Sequence, residues 1–397
     1  MGQLLSSEEE ISAVKHAIGN LLYRTMLEGG AVRHLRVVNP LLLANHNEDP
    51  GVCFQAQMLQ LQGEIGNKVP AYLKDLIGRL SSFSDEPRLA GLLGLAVSMV
   101  MDLLVMSSSG LKKKATGSSS SQQRVRELQE VMEEYLKRCR INLADKSRLV
   151  QDSLRMEAQL SFSLTQLKIS LVGGDCDSQS LRFWASGAAF HTQMLIHLAV
   201  LEGLGEPLSA RAVLDQYKED LAQILPAYRC YKINTVCVVK CRGVMSALSC
   251  ELHDEGSMTG LTLTDRETGK SVSVTLAALE AEIALNLHVT ASSSSLDPDL
   301  ITSHQYAQAY VDRLFSGEGP VEELKNYFTK ASDKLKALRF GPPPGCLIRR
   351  AKDQGQCEGH TLETQDRTEK NEQRSDKKLK WLLLRARRCG NGEKAPL

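Results

Sequence analysis

The chain has 397 residues, enough for two or three domains with cores of their own. Hydrophobic residues make up 42% and charged residues 24%, which excludes a chain that is disordered or fibrous throughout; aromatics, at 5%, leave the cores to leucine, valine, methionine and alanine. The formal net charge of +1 gives no argument for a nucleic-acid partner, although residues 341–397 gather 13 Lys/Arg against 8 Asp/Glu.

The chain opens Met-Gly-Gln-Leu-Leu-Ser-Ser. Removal of Met1 would expose the amine of Gly2, and Ser6 stands where an N-myristoylation signal favours a hydroxyl, so Gly2 is the candidate acyl acceptor. Ser6 followed by Glu9 also reads as a capping box for the helix that follows. Val14, Ile18, Leu21, Leu22 and Met26 give that helix one apolar face, and Gly29-Gly30 is its stop. Residues 1–28 lack a basic start followed by an apolar run, so no export signal is expected. A reducing cytosol with ten free cysteines is the corresponding expectation.

Residues 31–87 alternate short apolar stretches with turn-forming Pro, Gly and Asn. Residues 89–106 form the most apolar run, with Asp102 the only charge in 18 residues. That length is at the lower edge for a membrane span, and the reading adopted is a buried helix of a bundle. Residues 107–123, with Lys112, Lys113, Lys114 and a serine run, have no apolar face to bury and predict a flexible linker. It separates an N-terminal helical region, 1–106, from a second region spanning 124–340.

Residues 124–171 are the longest helical territory. Leu128, Met132, Tyr135 and Cys139 follow a three-four spacing, as do Leu149, Met156, Leu160, Leu164, Leu167 and Leu171. Asn142 and Asp145 interrupt them, which favours two bundle helices over an extended coiled coil. Two more helices are predicted over 180–204 and 210–225, the second closed by Pro226. Residues 228–240 are β-branched and aromatic and suggest a strand; 261–264 and 271–274, around a charged turn, predict a β-hairpin. Helical spacing returns at 276–287, 298–315 and 321–338, before Gly341-Pro342-Pro343-Pro344-Gly345 ends the ordered region.

The remainder, 341–397, reads as a disordered basic tail. Within it Lys377, Lys378, Lys380, Trp381, Arg385, Arg387 and Arg388 surround Leu382, Leu383 and Leu384, the composition of a short amphipathic segment suited to an anionic membrane surface.

No phosphate-binding glycine loop, Gly-x-Ser-x-Gly elbow or His-Glu-x-x-His helix is present. Cys230, Cys237, Cys241 and Cys250, with His253 nearby, do not repeat a close Cys pair at a fixed distance as a zinc signature does, and buried free cysteines are the reading adopted. No catalytic, cofactor-binding or metal-binding residue is therefore assigned, and no cofactor is expected. The predicted fold is mainly α, a multi-helix bundle with a small β-hairpin insertion near 228–275. The predicted function is a non-catalytic, membrane-associated scaffold or regulatory adaptor on the cytosolic face of a membrane. Gly2 supplies its acyl anchor; Lys112, Lys113, Lys114 and the tail supply basic contacts, and the helical body binds a protein partner. The alternative is a soluble helical protein-interaction module without a lipid anchor; an enzyme whose site leaves no motif is the third reading.

Overall fold

A computed structural model of the chain describes residues 8–33, 35, 37, 120–243, 257–287 and 298–340. Among them are eight α-helices and one three-stranded antiparallel sheet, so the fold is mainly α with a small β insertion, as the periodicity predicts. Gly2, the apolar run 89–106, the three lysines of 112–114 and the basic tail lie outside the described residues.

Helix α1 (Glu8–Glu28) buries Val14, Ile18, Leu22 and Met26 along one face. It stops at Gly30, whose positive φ of 63° lets the Ala31 N–H turn back to the Met26 carbonyl at 2.8 Å. Helix α2 (Ser120–Ile141) starts inside the predicted 107–123 linker. Its start is fixed from a distance: the Asp175 carboxylate accepts from the Ser121 N–H at 2.9 Å, across 54 residues. Helix α3 (Lys146–Val172) follows a short turn and is capped by Asp145, which accepts from the Arg148 N–H at 3.0 Å. The break therefore falls where Asn142 and Asp145 predict it.

Helix α4 (Ser178–Leu201) is capped by Asp177 and is buried on every side along most of its length. A helix apolar all round belongs at the centre of a bundle, and α2, α3, helix α5 (Leu208–Thr235) and helix α8 (Pro320–Ala337) supply the walls. Gly187 sets how closely they approach: a Cβ there would stand 2.7 Å from Leu128 Cδ2 and 2.9 Å from Leu164 Cδ2. Trp184, Tyr135, Phe190 and Phe328 fill this first core with tilted and edge-to-face ring contacts.

Helix α5 departs from the sequence expectation. It runs through Pro226 to Thr235, and the strand expected from 228 begins only at Val236. Pro226 removes one backbone donor, but Ile224, Leu225, Tyr228 and Lys232 are buried on both sides of it, and that packing carries the helix onward. Strand β1 (Val236–Arg242) then pairs antiparallel with β2 (Met258–Asp265), and β2 with β3 (Lys270–Thr275), in the order β1-β2-β3. The predicted hairpin is β2–β3, with Leu263 opposite Val272 and Asp265 opposite Lys270. One face presents Val236, Val238, Leu261, Leu263 and Val274 to a second core; the other carries hydroxyl pairs such as Thr262 with Ser273. Helix α6 (Leu276–Leu287), a 3-10 turn at Pro298–Leu300 and helix α7 (Ser303–Leu314) complete that core with α1. Thr302 and Gln305 form a full capping box at the start of α7.

The two cores meet at a buried ion cluster. Lys232, near the end of α5, donates to Asp265 at 2.7 Å and to Glu267 at 2.9 Å, with the three side chains 4%, 1% and 9% exposed. Glu267, in the β2–β3 turn, also accepts from the backbone N–H and the hydroxyl of Ser178 at the start of α4. The Ser178 hydroxyl reaches the Tyr228 hydroxyl at 2.8 Å. Burial, and then the Glu267 charge, holds the Tyr228 phenol protonated far above its ordinary range.

Lys232→Met leaves two carboxylates buried without their cation, and it is expected to lower stability by about 3–5 kcal/mol. Arg148→Ala, which removes an exposed ion pair with Asp145, should change it by less than ~1 kcal/mol. Urea unfolding of both variants checks this; equal, small losses would contradict the cluster's role.

Candidate docking site

Helix α3 carries two apolar stripes. Leu149, Met156, Leu160, Leu164, Leu167 and Leu171 are buried against the bundle, the face the sequence spacing predicts. Leu154, Ala158, Phe162, Thr165, Ile169 and Val172 form the second, and all six are exposed. Projected at about 100° per residue, the second set falls within an arc of roughly 80°, opposite the first. Phe162 is 64% exposed, Ile169 59%, Leu154 51% and Val172 46%. Scattered exposed leucines are ordinary on a protein surface, whereas here the large apolar side chains form a row on one helix face.

From Ala158 onward the surroundings of this stripe carry almost no charge. Between Ala158 and Gly173 the only ionisable side chain is Lys168, which turns aside to Asp220 of α5 at 2.6 Å. Glutamines 159 and 166 and serines 161, 163 and 170 occupy the remaining outer positions. Depletion of charge around apolar anchors is the composition of an interface core. Sequence periodicity missed this face because the buried leucines account for the three-four rhythm. The available signal was Phe162 and Ile169, both large and both out of step with that rhythm.

A shallow cleft of about 400 Å³ lies where α4 ends and α5 begins, walled by Leu195, Leu198, Ala199, Leu204 and Leu208. Its charged groups are Glu202 and Glu206, and Glu206 is engaged by Arg211 and Arg339. Ser209 also lines it, and no histidine or cysteine does.

Polar groups elsewhere in the bundle have structural work. Asp175 and Asp177 cap α2 and α4. His191 and His197 diverge: His191 Nδ1 lies 2.6 Å from the Tyr217 hydroxyl with Nε2 3.4 Å from Glu157, and His197 Nδ1 lies 3.3 Å from the Tyr135 hydroxyl. Cys139, Cys176, Cys230, Cys237 and Cys241 are free thiols. Among the described residues no three His, Cys, Asp or Glu side chains converge on a metal position; Cys250 and His253 lie outside them. No helix among the described residues is long and apolar enough to cross a membrane. Every residue predicted to contact lipid, from Gly2 through Lys112, Lys113 and Lys114 to Lys377, Lys378, Lys380, Trp381, Arg385, Arg387 and Arg388, is outside the described residues.

Burial pushes the Cys139 thiol up to about 12 and moves Cys176 upward as well. Unfolding exposes these thiols at an ordinary value of about 8.5. Their neutral burial therefore stabilises the fold fully below that value, and the contribution is lost as pH rises above it. Stability should decline from about pH 9 upward, less steeply in Cys139→Ala, when urea midpoints are followed with pH. In the native state at pH 8, iodoacetamide should modify exposed Cys230 well before Cys139 or Cys176. Equal rates would contradict the burial.

Compared with known proteins, the chain matches no family model, no curated protein and no solved structure.

Proposed function

We propose that the protein is a non-catalytic helical interaction module, whose docking surface is the outer face of α3. The observation that carries this reading is the exposed apolar row from Leu154 to Val172, on a helix whose opposite side is already packed. Its occupant is a helix with an apolar seam, laid along α3 with anchors at three-four spacing. The mostly buried bundle behind it holds α3 straight, so the anchors are presented without ordering a flexible segment on binding. In cell extract the tagged chain should elute as part of a larger assembly. Phe162→Glu combined with Ile169→Glu should elute at the size of the free chain, with an unchanged circular dichroism spectrum. Identical elution of the two would contradict the reading.

The finer reading sets this module on the cytosolic face of a membrane. It is supported by the sequence alone: Gly2 with Ser6 at the amino end, and the basic segment around Trp381. One acyl chain, worth roughly 0.8 kcal/mol per buried methylene, binds only marginally, so the basic clusters act as the second contact. Coexpression with a myristoyltransferase should add the acyl mass at Gly2. Gly2→Ala should then release most of the protein from anionic vesicles, and an unmodified Gly2 in the native protein would overturn the anchor.

A further inference from the structure

We infer that the occupant of the outer face of α3 is the same helix of a second copy of this chain, packed antiparallel about a twofold axis between Phe162 and Thr165. The inference rests on the docking reading above and names its partner.

Arg155, Phe162 and Ile169 recur every seven residues, and Ala158, Thr165 and Val172 recur every seven between them, which is the alternation of a coiled-coil seam. An antiparallel pair places each member of the first set opposite a member of the second. Phe162 then faces Thr165 of the partner copy, and Ile169 faces Ala158, so every bulky side chain meets a small one. The parallel alternative sets Phe162 against Phe162, leaves Ala158 against Ala158, and brings Arg155 onto Arg155. Size and charge both select the antiparallel form.

Arg155 is exposed, and among the described residues no carboxylate forms an ion pair with it. In the antiparallel pair it lies beside Val172, at the carboxyl end of the partner's helix. The negative end of a helix dipole attracts a cation. The Asp175 carboxylate sits three residues beyond, with one oxygen already taken by the Ser121 N–H. Because the axis is twofold, this attraction is made twice. The same symmetry operation thus satisfies the apolar anchors and the Arg155 cation, which is the self-complementarity required of an isologous interface.

The stripe from 154 to 172 runs ~27 Å along the helix. One helix pair of that length falls at the small end of specific interfaces, so the dimer should be reversible and governed by concentration.

Sedimentation velocity of the purified full chain should show a dimer at roughly 50 µM that dissociates on dilution. Phe162→Glu should be monomeric throughout. Arg155→Glu, at an exposed position outside the core, should weaken the dimer at least tenfold; near-ultraviolet circular dichroism confirms that both variants fold. Orientation is read by mixing Ala158→Cys and Ile169→Cys chains under oxidation and mapping disulfides by mass spectrometry. A crosslink joining 158 to 169 supports the proposal, whereas crosslinks of each position to itself overturn it. A wild-type chain that stays monomeric at every concentration also overturns it. If that chain nevertheless loses its assembly in extract when Phe162 is replaced, only the identity of the partner was wrong; if it loses nothing, the docking reading falls as well.

Discussion

The structure depends on a cation that cannot reach water. Lys232 leaves α5 at the point where the helix gives way to the sheet, and its ammonium is held between Asp265 and Glu267 with almost no exposure. Burying three charges is costly, and their mutual attraction offsets the loss of solvation only when every remaining lone pair has a donor. Ser178 provides those donors from the first turn of α4, and the Glu267 backbone N–H closes on Asp265. One cluster thereby fixes the end of α5, the β2–β3 turn and the start of the central helix. The two apolar cores, which share few side chains, are held in register by this polar joint.

That joint explains why α3 has a side to spare. With α4 buried all round and α5 committed to both cores, α2 and α3 form the outer wall of the bundle. Helix α2 covers its outer side with glutamate, arginine and glutamine, including the Arg138 pairs with Glu134 and Asp152. Helix α3 does the reverse and places Phe162 and Ile169 there. The contrast between two adjacent helices in the same layer argues that the apolar row has a partner, since α2 demonstrates that the layer itself does not require it.

Much of this was legible in the sequence where local chemistry decides. The leucine rhythm of α3, the break at Asn142 and Asp145, the Gly29-Gly30 stop and the β2–β3 hairpin all rest on neighbours within a few residues. The continuation of α5 past Pro226 was not legible, because proline and β-branched residues argue locally for a boundary. Tertiary burial of Tyr228 and Lys232 overrides them. The start of α2 at Ser120 was hidden for the same reason, its cap arriving from Asp175. The ion cluster joins residues 33 and 35 positions apart, which no periodicity reveals. The docking face was present in the sequence but masked by a stronger rhythm on the opposite side of the same helix.

The central claim is that the outer face of α3 is covered when the protein is in its working assembly. Hydroxyl-radical footprinting of the side chains along 154–172 measures that directly. Phe162 and Ile169 should be oxidised readily in the dilute free chain and strongly protected in the assembly, while exposed Leu285 on α6 stays equally reactive in both. Oxidation of Phe162 at the same rate in the free and assembled protein would contradict the account.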